Sequence, residues 1–407
     1  MRSNRTLIPV LCFCCLLTPS LVMAQRDKAG DKKAAKETED DKKEDNGQHL
    51  RMIGKPVLVT KAGAELKTRK GVVWKAYLGE VFTVAEVEGE WYWIREKGGW
   101  LWEKHTVPLD SAVERFSIEI ERRPSAEAFH QRGIAYAAIE DYERSIEDYS
   151  KTIELKPQYA GAYVNRGNCY RAMKNQKKAL SDFSAALTLD EKNFVAYNNR
   201  ALVYTSMREF DKAMGDLDKA VSLSKEYAEA YNNRGVVWRE KGDLKKALGD
   251  YSRALKIYPE FWEALRNIGF AHNKLGNYEA AVTAYSEAAR LRPFEPVSLN
   301  NIAWMAATCP REEFRNARLA LDDAKKACEY TKNKDWNSLD TLGAAYAENQ
   351  MFDKAAEAAQ RALKLAPKDQ KADIKERIKL YENDKPFRTV DVGPKEDAKE
   401  KDADKTK

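Results

Sequence analysis

Five asparagines, Asn165, Asn199, Asn233, Asn267 and Asn301, stand in a row in which every step is 34 residues. Asn198, Asn232 and Asn300 each immediately precede a member of that row. A carboxamide offers a donor and an acceptor side by side. That pair matches a peptide group without reading the side chain attached to it. One such bond contributes on the order of 1 kcal/mol net, so useful affinity requires a repeated row. The row is therefore expected to hold an extended peptide or protein segment. The same amides could instead bond to one another within the chain, and the sequence leaves both readings open.

A second pattern keeps the same step. Arg132, Arg166, Arg200 and Arg234 are each followed 16 residues later by an acid, at Asp148, Asp182, Asp216 and Asp250. Where the arginine becomes Ile268 the acid becomes Ala284, and Leu342 is matched by Ala358. The partners disappear together, as a partly buried ion pair demands, because removing one strands a charge. Ile302 with Asp323 breaks the rule in a segment whose register is shifted. These pairs are expected to be structural.

Nothing in the chain composes a catalytic centre. His49, His105, His130 and His272 are far apart, and no cysteine or histidine pair has metal-ligand spacing. No phosphate-cradling glycine loop or nucleophile elbow is present. The expectation is a non-enzymatic protein with no metal and no cofactor. The net charge of +6 is small for 407 residues and is scattered, which argues against a nucleic-acid surface.

The elements that must position these residues follow from the apolar pattern. A bulky residue, a small one four positions on and an aromatic three further recur as Phe129/Gly133/Tyr136, Tyr163/Gly167/Tyr170, Tyr197/Ala201/Tyr204 and Tyr231/Gly235/Trp238. That spacing puts all three on one helix face. A second helix brings small residues at Ser145, Ala179, Ala213, Ala247, Ala281, Ala320 and Ala355, and Pro157, Pro259, Pro293 and Pro367 end units.

The segments AEAFHQRGIAY from Ala126, AGAYVNRGNCY from Ala160, FVAYNNRALVY from Phe194, AEAYNNRGVVW from Ala228 and WEALRNIGFAH from Trp262 closely resemble tetratricopeptide repeats (TPRs). That family's unit is a helix–turn–helix of 34 residues. The resemblance implies a mainly α fold, a right-handed superhelical solenoid whose asparagines line the concave side and grip a peptide backbone. It covers residues 109–384: a half-repeat helix at 109–125, repeats at 126–159, 160–193, 194–227, 228–261 and 262–295, a degenerate repeat with a loop insertion at 296–335, a seventh at 336–369 and a capping helix at 370–384. One TPR subclass clamps chaperone carboxylates. Asn168 and Asn199 match that clamp, but Val164, Glu229 and Asn233 replace its basic residues and rule it out. His272, Ala306, Ala324 and Ala359 depart from the repeat pattern and suggest looser packing toward the C-terminal side.

Residues 51–108 lack helical period, and short β runs broken by glycine turns predict a small β-barrel. The ending Gly99-Trp100-Leu101 resembles bacterial SH3-like domains, whose relatives bind wall peptides or proteins through aromatic clefts. That resemblance makes Trp74, Trp91, Trp93 and Trp102 a candidate aromatic surface, and peptidoglycan a candidate partner. Trp100 is expected in the core. The aromatics are alternatively expected to seal the sheet against the first helix.

Residues 1–24 have the layout of a secretory signal: Arg2 and Arg5, an apolar run from Leu7 to Leu17, and Val22-Met23-Ala24 at the cleavage site. The apolar stretch is short for a membrane span, so membrane contact is expected only through an uncleaved leader. A periplasmic or secreted address follows. Cys169, Cys309 and Cys328 then remain; Cys309 and Cys328 could pair, and Cys169 is expected in the core. The linker at 25–50 and the tail at 385–407 mix Lys with Asp and Glu, and such segments do not order themselves. The NIAW, ATCP and ACEYT segments resemble planctomycete-type envelope proteins, which implies no activity.

Overall fold

A computed structural model describes residues 52–68, 71–76 and 78–392. The leader at 1–24 and the linker at 25–50 lie outside the described residues, as does the tail beyond Val392. The fold is mainly helical, with helix–turn–helix repeats preceded by a small sheet. Among the described residues no helix is long and apolar enough to cross a membrane. The chain divides into two compact units, Met1–Ser206 and Met207–Lys407.

The first unit opens with seven strands: β1 (Pro56–Val59), β2 (Ala64–Thr68), β3 (Gly71–Ala76), β4 (Val81–Glu88), β5 (Trp91–Ile94), β6 (Gly99–Trp102) and β7 (Thr106–Pro108). They form an antiparallel sheet in the order β3-β2-β6-β5-β4-β1-β7. Successive residues face opposite sides of a strand. Phe82, Val84, Tyr92, Ile94 and Leu101 therefore turn inward together, with Val57, Val59 and Leu66. Gly99 permits the approach of β6 to β2, since a Cβ there would meet Val73 Cγ2 at 2.6 Å and Leu66 Cβ at 2.9 Å.

Among the described residues six helices complete this unit: α1 (Leu109–Arg122), α2 (Ala126–Ala138), α3 (Tyr142–Leu155), α4 (Ala160–Ala172), α5 (Gln176–Leu189) and α6 (Phe194–Ser206). The sheet and the helices share one core. Leu58 and Val107 are buried with Ala112, Phe116, Ile134 and Tyr149. Aliphatic residues, rather than the tryptophans, thus seal the sheet against the helices.

The second unit holds α7 (Phe210–Leu223), α8 (Ala228–Glu240), α9 (Leu244–Ile257), α10 (Trp262–Lys274), α11 (Tyr278–Leu291), α12 (Pro296–Thr308), α13 (Ala317–Tyr330), α14 (Trp336–Glu348), α15 (Phe352–Leu365) and α16 (Lys371–Tyr381). The longer loop of the sixth repeat carries a 3-10 turn at Glu312–Phe314.

Helices within a repeat meet at the small residue of the first helix. A Cβ on Gly133 would lie 2.8 Å from the ring of Tyr149, on Gly167 2.8 Å from Phe183, on Gly235 2.5 Å from Tyr251 and on Gly269 2.6 Å from Tyr285. Each ring stands 16 residues after its glycine, so the aromatic and its socket are supplied by one hairpin. The turn between the helices is also periodic. Glu140, Lys174, Arg208, Gly242 and Gly276 all take positive φ, between 59° and 87°. The next backbone N–H then returns to the carbonyl of the first-helix aromatic or its substitute, as from Asn175 to Tyr170 at 2.8 Å and from Asn277 to His272 at 2.9 Å. This is the left-handed closure that satisfies orphan carbonyls at a helix end.

The C-terminal repeats are packed closely, against the expectation from their substitutions. Ala306, Ala324 and Ala359 are buried in one continuous cluster with Leu339, Ile374 and Tyr381. Alanine replaces the ring, and the hairpin keeps the same spacing: a Cβ on Gly343 would lie 3.0 Å from the backbone oxygen of Ala355, as one on Gly235 would lie 3.1 Å from that of Ala247 beside the Tyr251 ring.

Candidate binding surfaces

The arginine–aspartate pairs set the frame on which other polar residues sit. Arg132 meets Asp148 through two bonds of 2.8 Å, and Arg166 meets Asp182 the same way. In the second unit Arg234 and Asp250 are joined at 2.8 and 2.7 Å. The fork geometry is the strong, bidentate form, and hydrogen bonding to the aspartates raises the pKa of all three guanidinium groups. The remaining Nη1 of each reaches back to the preceding second helix or half-repeat: to Ser117, Ser150 and Asp218 at 3.2, 2.9 and 2.8 Å. Arg200 reaches Ser184 in the same manner at 3.1 Å. Arg200 belongs to the first unit and Asp216, which is buried, to the second. Each arginine thus staples two repeats. The serines were missed in the sequence, although Ser150 and Ser184 are themselves 34 residues apart.

The asparagine row is not uniform. Asn199 and Asn267 are buried, as are Asn198, Asn232 and Asn300. Asn165, Asn233 and Asn301 are half-exposed. Several amides bond within the array. Asn267 donates to Asn232 Oδ1 at 2.9 Å, and Asn198 donates to Asn199 Oδ1 at 3.2 Å. Asn165 Nδ2 lies 3.1 Å from His130 Nε2, and Tyr159 Oη lies 3.2 Å from His130 Nδ1. Burial lowers the pKa of His130 to about 4, so the ring is neutral at pH 7. With Nε2 accepting from Asn165, the proton belongs on Nδ1 and is donated to Tyr159. The buried Asn199 and Asn267 are thus used within the array, and so is the half-exposed Asn165, which donates to the buried His130. Of the two readings the sequence leaves open, bonding within the array holds for Asn165, Asn198, Asn199, Asn232 and Asn267.

The first helices carry a further polar signal. Gln131 Oε1, Asn168 Oδ1 and Arg171 Nε in the first unit are buried without a hydrogen-bond partner. So are Ser298 Oγ, Asn300 Oδ1 and Thr341 Oγ1 in the second. All six lie on first helices of repeats. A buried polar group without a partner costs about 1–3 kcal/mol; Ser298, Asn300 and Thr341 are closed to solvent, whereas Gln131, Asn168 and Arg171 are half-exposed side chains.

The sheet presents a separate surface. Because Tyr92, Ile94 and Leu101 face inward, the tryptophans of β5 and β6 face outward as two cross-strand pairs. Trp91 stands opposite Trp102 and Trp93 opposite Trp100. Their ring centroids are 6.4 and 5.3 Å apart. Trp100 is on this outer face rather than in the core, since Leu101 takes the inward position. Trp91 is 36% exposed. His105 packs edge-on to Trp102, and Lys104 Nζ lies 5.1 Å from the same ring. Trp74 pairs through its backbone with Leu66 on β2.

Among the described residues no cluster of His, Cys, Asp and Glu could hold a metal ion. Cys169, Cys309 and Cys328 are buried free thiols, so Cys309 and Cys328 are not paired. Cys169 packs in the core beside Ser145.

Tetratricopeptide-repeat models match residues 126–159, 160–193, 195–227, 228–261, 247–296 and 336–369. No curated protein sequence matches the chain. Among solved structures, the APC/C hetero-tetramer Cut9–Hcn1 is similar with a TM-score of 0.53 at 19% identity, over 58% of this chain and 46% of that one. The chain thus spans under half of that neighbour's length. Yeast Tom70 gives a TM-score of 0.48 at 17% identity, over 68% of this chain and 59% of that one. YrrB, described as a TPR protein with an unusual peptide-binding site, gives 0.36 at 25% identity, over 46% and 97%.

Proposed function

Since the chain belongs to the tetratricopeptide-repeat family, we propose that it is a non-enzymatic scaffold that binds an extended protein segment along its first helices. The observation that carries this reading is the polar first helices, where Asn168 and Arg171 bear unpartnered polar atoms on half-exposed side chains and Asn165, Asn233 and Asn301 are also half-exposed. A peptide backbone supplies alternating donors and acceptors and would satisfy them without demanding a particular sequence. The leader-like segment at 1–24 supports placing the scaffold in the periplasm or outside the cell.

The two classes of asparagine give a discriminating test. The strongest binder from an array of unstructured peptides is titrated against full-length variants. Replacing Asn165, Asn233 and Asn301 with alanine should lower affinity about tenfold or more in a chain that still folds, with some loss of stability because His130 Nε2 loses its donor. Asn267→Ala should instead lower stability by about 1–2 kcal/mol, since Asn232 Oδ1 loses its donor. Unchanged affinity in the triple variant removes the row from the binding reading.

A second reading rests on the tryptophan face. Its four rings, on a sheet resembling an SH3-like domain, suit the flat apolar faces of wall sugars, and the repeats would then act as a spacer from peptidoglycan. Pull-down of the full chain with purified cell walls tests it. Trp91→Ala with Trp93→Ala should abolish retention if this surface is the anchor, whereas the asparagine variants should not.

A further inference from the structure

The segment after α16 was expected to belong to the charged, solvated tail. Residues 385–392 instead return across the second unit and make residue-by-residue contacts. Phe387 lies with its ring centroid 5.8 Å from that of Trp304, and Arg377 stands 5.4 Å from both rings. Arg377 is itself held by Asp340 at 3.0 and 2.6 Å. Arg388 donates to the carbonyl of Ala307 at 3.1 Å and pairs with Glu348 at 2.5 Å. The backbone N–H of Thr389 donates to Thr308 O at 2.9 Å, and its hydroxyl to the same oxygen at 3.1 Å. Asp391 accepts from Tyr278 Oη at 3.2 Å and from Arg311 Nε at 3.3 Å.

The chemistry of the surface explains the order of the segment. Arg315 holds one oxygen of Glu348 at 3.2 Å, and the other oxygen, with the carbonyls at the C-terminal end of α12, is left to accept a second guanidinium. Arg311, one loop away, selects an acid. Trp304 with Arg377 makes an apolar and cationic shelf for an aromatic ring. Val390, between the anchoring positions, is 83% exposed and contributes no specificity. Recognition that combines main-chain bonds with alternate side-chain contacts is how extended peptides are held.

We propose that this surface is a peptide-binding site of its own, selecting an extended partner segment of pattern aromatic–Arg–Thr–any residue–acid, and that Phe387 to Asp391 is its tethered competitor. The site lies on α12 and α14, one turn along from Asn301, and shares no residue with the asparagine row. A competitor joined by a short linker acts at an effective concentration near millimolar. A free segment of the same pattern must displace it, so the chain binds partners weakly until the tail is drawn away.

The test uses a labelled peptide of the sequence KPFRTVDV, titrated by fluorescence anisotropy. Full-length chain carrying Phe387→Ala and Arg388→Glu should bind it on the order of a hundredfold more tightly than the unaltered chain. Adding Glu348→Arg to the released chain should abolish that binding and create binding to a peptide in which glutamate replaces the arginine. Failure of a folded, released chain to bind the peptide overturns the proposal. Should that variant melt early, Asp391→Lys carries the same comparison. Unfolding even there would make the segment a structural clamp and end the proposal. Association of the unaltered chain at high concentration, blocked by Arg388→Glu, would identify the occupant as a second copy's tail and overturn the partner reading.

Discussion

The first repeats and the last solve one packing problem with different chemistry. Repeats around Arg132, Arg166 and Arg234 drop an aromatic onto a glycine and tie neighbouring units with a guanidinium fork. Around Ala324 and Ala359 neither fork nor ring is present, and buried alanines fill the seam. The last repeats then add long-range polar ties, from Arg377 to Asp340 and from Arg388 to Glu348. The difference teaches that one hairpin spacing can be filled in more than one way, since the fifth repeat keeps the ring of Tyr285 on Gly269 without a fork, and the last repeats use neither. There the polar ties are made by the capping helix and the segment after it.

The comparison can be broken most sharply at the fork. Asp182→Ala alone should destabilise the protein by about 3–5 kcal/mol, because Arg166 is left charged and largely buried. The double change Arg166→Ile with Asp182→Ala copies the natural Ile268 and Ala284 combination and should recover most of that loss in a urea titration. If the double variant is no better than the single one, the fork is not a replaceable staple and the contrast with the fifth repeat fails.

A smaller effect separates the units by pH. The folded pKa of His130, about 4, lies below the ordinary value of 6.5, so the fold favours the neutral ring. The unfolded chain takes up the proton first as pH falls below about 6.5. This stability is therefore fully present above that pH and is lost progressively toward pH 4, by about 3 kcal/mol. His130→Asn, copying Asn198 and Asn232 at the equivalent position, should flatten this part of the pH–stability curve. An unchanged slope between pH 6.5 and 4 in that variant would assign the dependence to other groups.

The smallest change concerns the turns. Lys174 holds φ at 59° where Gly242 and Gly276 stand in later repeats. A non-glycine residue in that region costs about 1 kcal/mol. Lys174→Gly should raise stability by up to about 1 kcal/mol in thermal melts, whereas Gly242→Lys should lower it by a similar amount. Equal melting of all three chains would show that the turn carries no such strain.

Much of this architecture was legible because it is local. The step of 34, the helix pairs, and the 16-residue separation of arginine from aspartate are properties of one hairpin. Alternation in WYWI already put Trp91 and Trp93 on one face. The same logic applied to Leu101 would have placed Trp100 outward. The aromatics at Tyr149, Phe183, Tyr251 and Tyr285 carried the period too, and were overlooked in favour of the small residues that face them.

The sequence alone therefore determined the repeat, its caps and its internal ion pairs, since each joins residues a turn or a hairpin apart. Only the tertiary structure decided which asparagines remain accessible, because their burial depends on the side chain presented by the preceding repeat. It also decided the fate of Phe387 to Asp391. Their partners, Tyr278 through Arg377, lie up to 113 residues away, and no period in the chain connects them. Short-range repetition encodes contacts within a unit, whereas burial and docking are set by surfaces that meet only after the chain has folded.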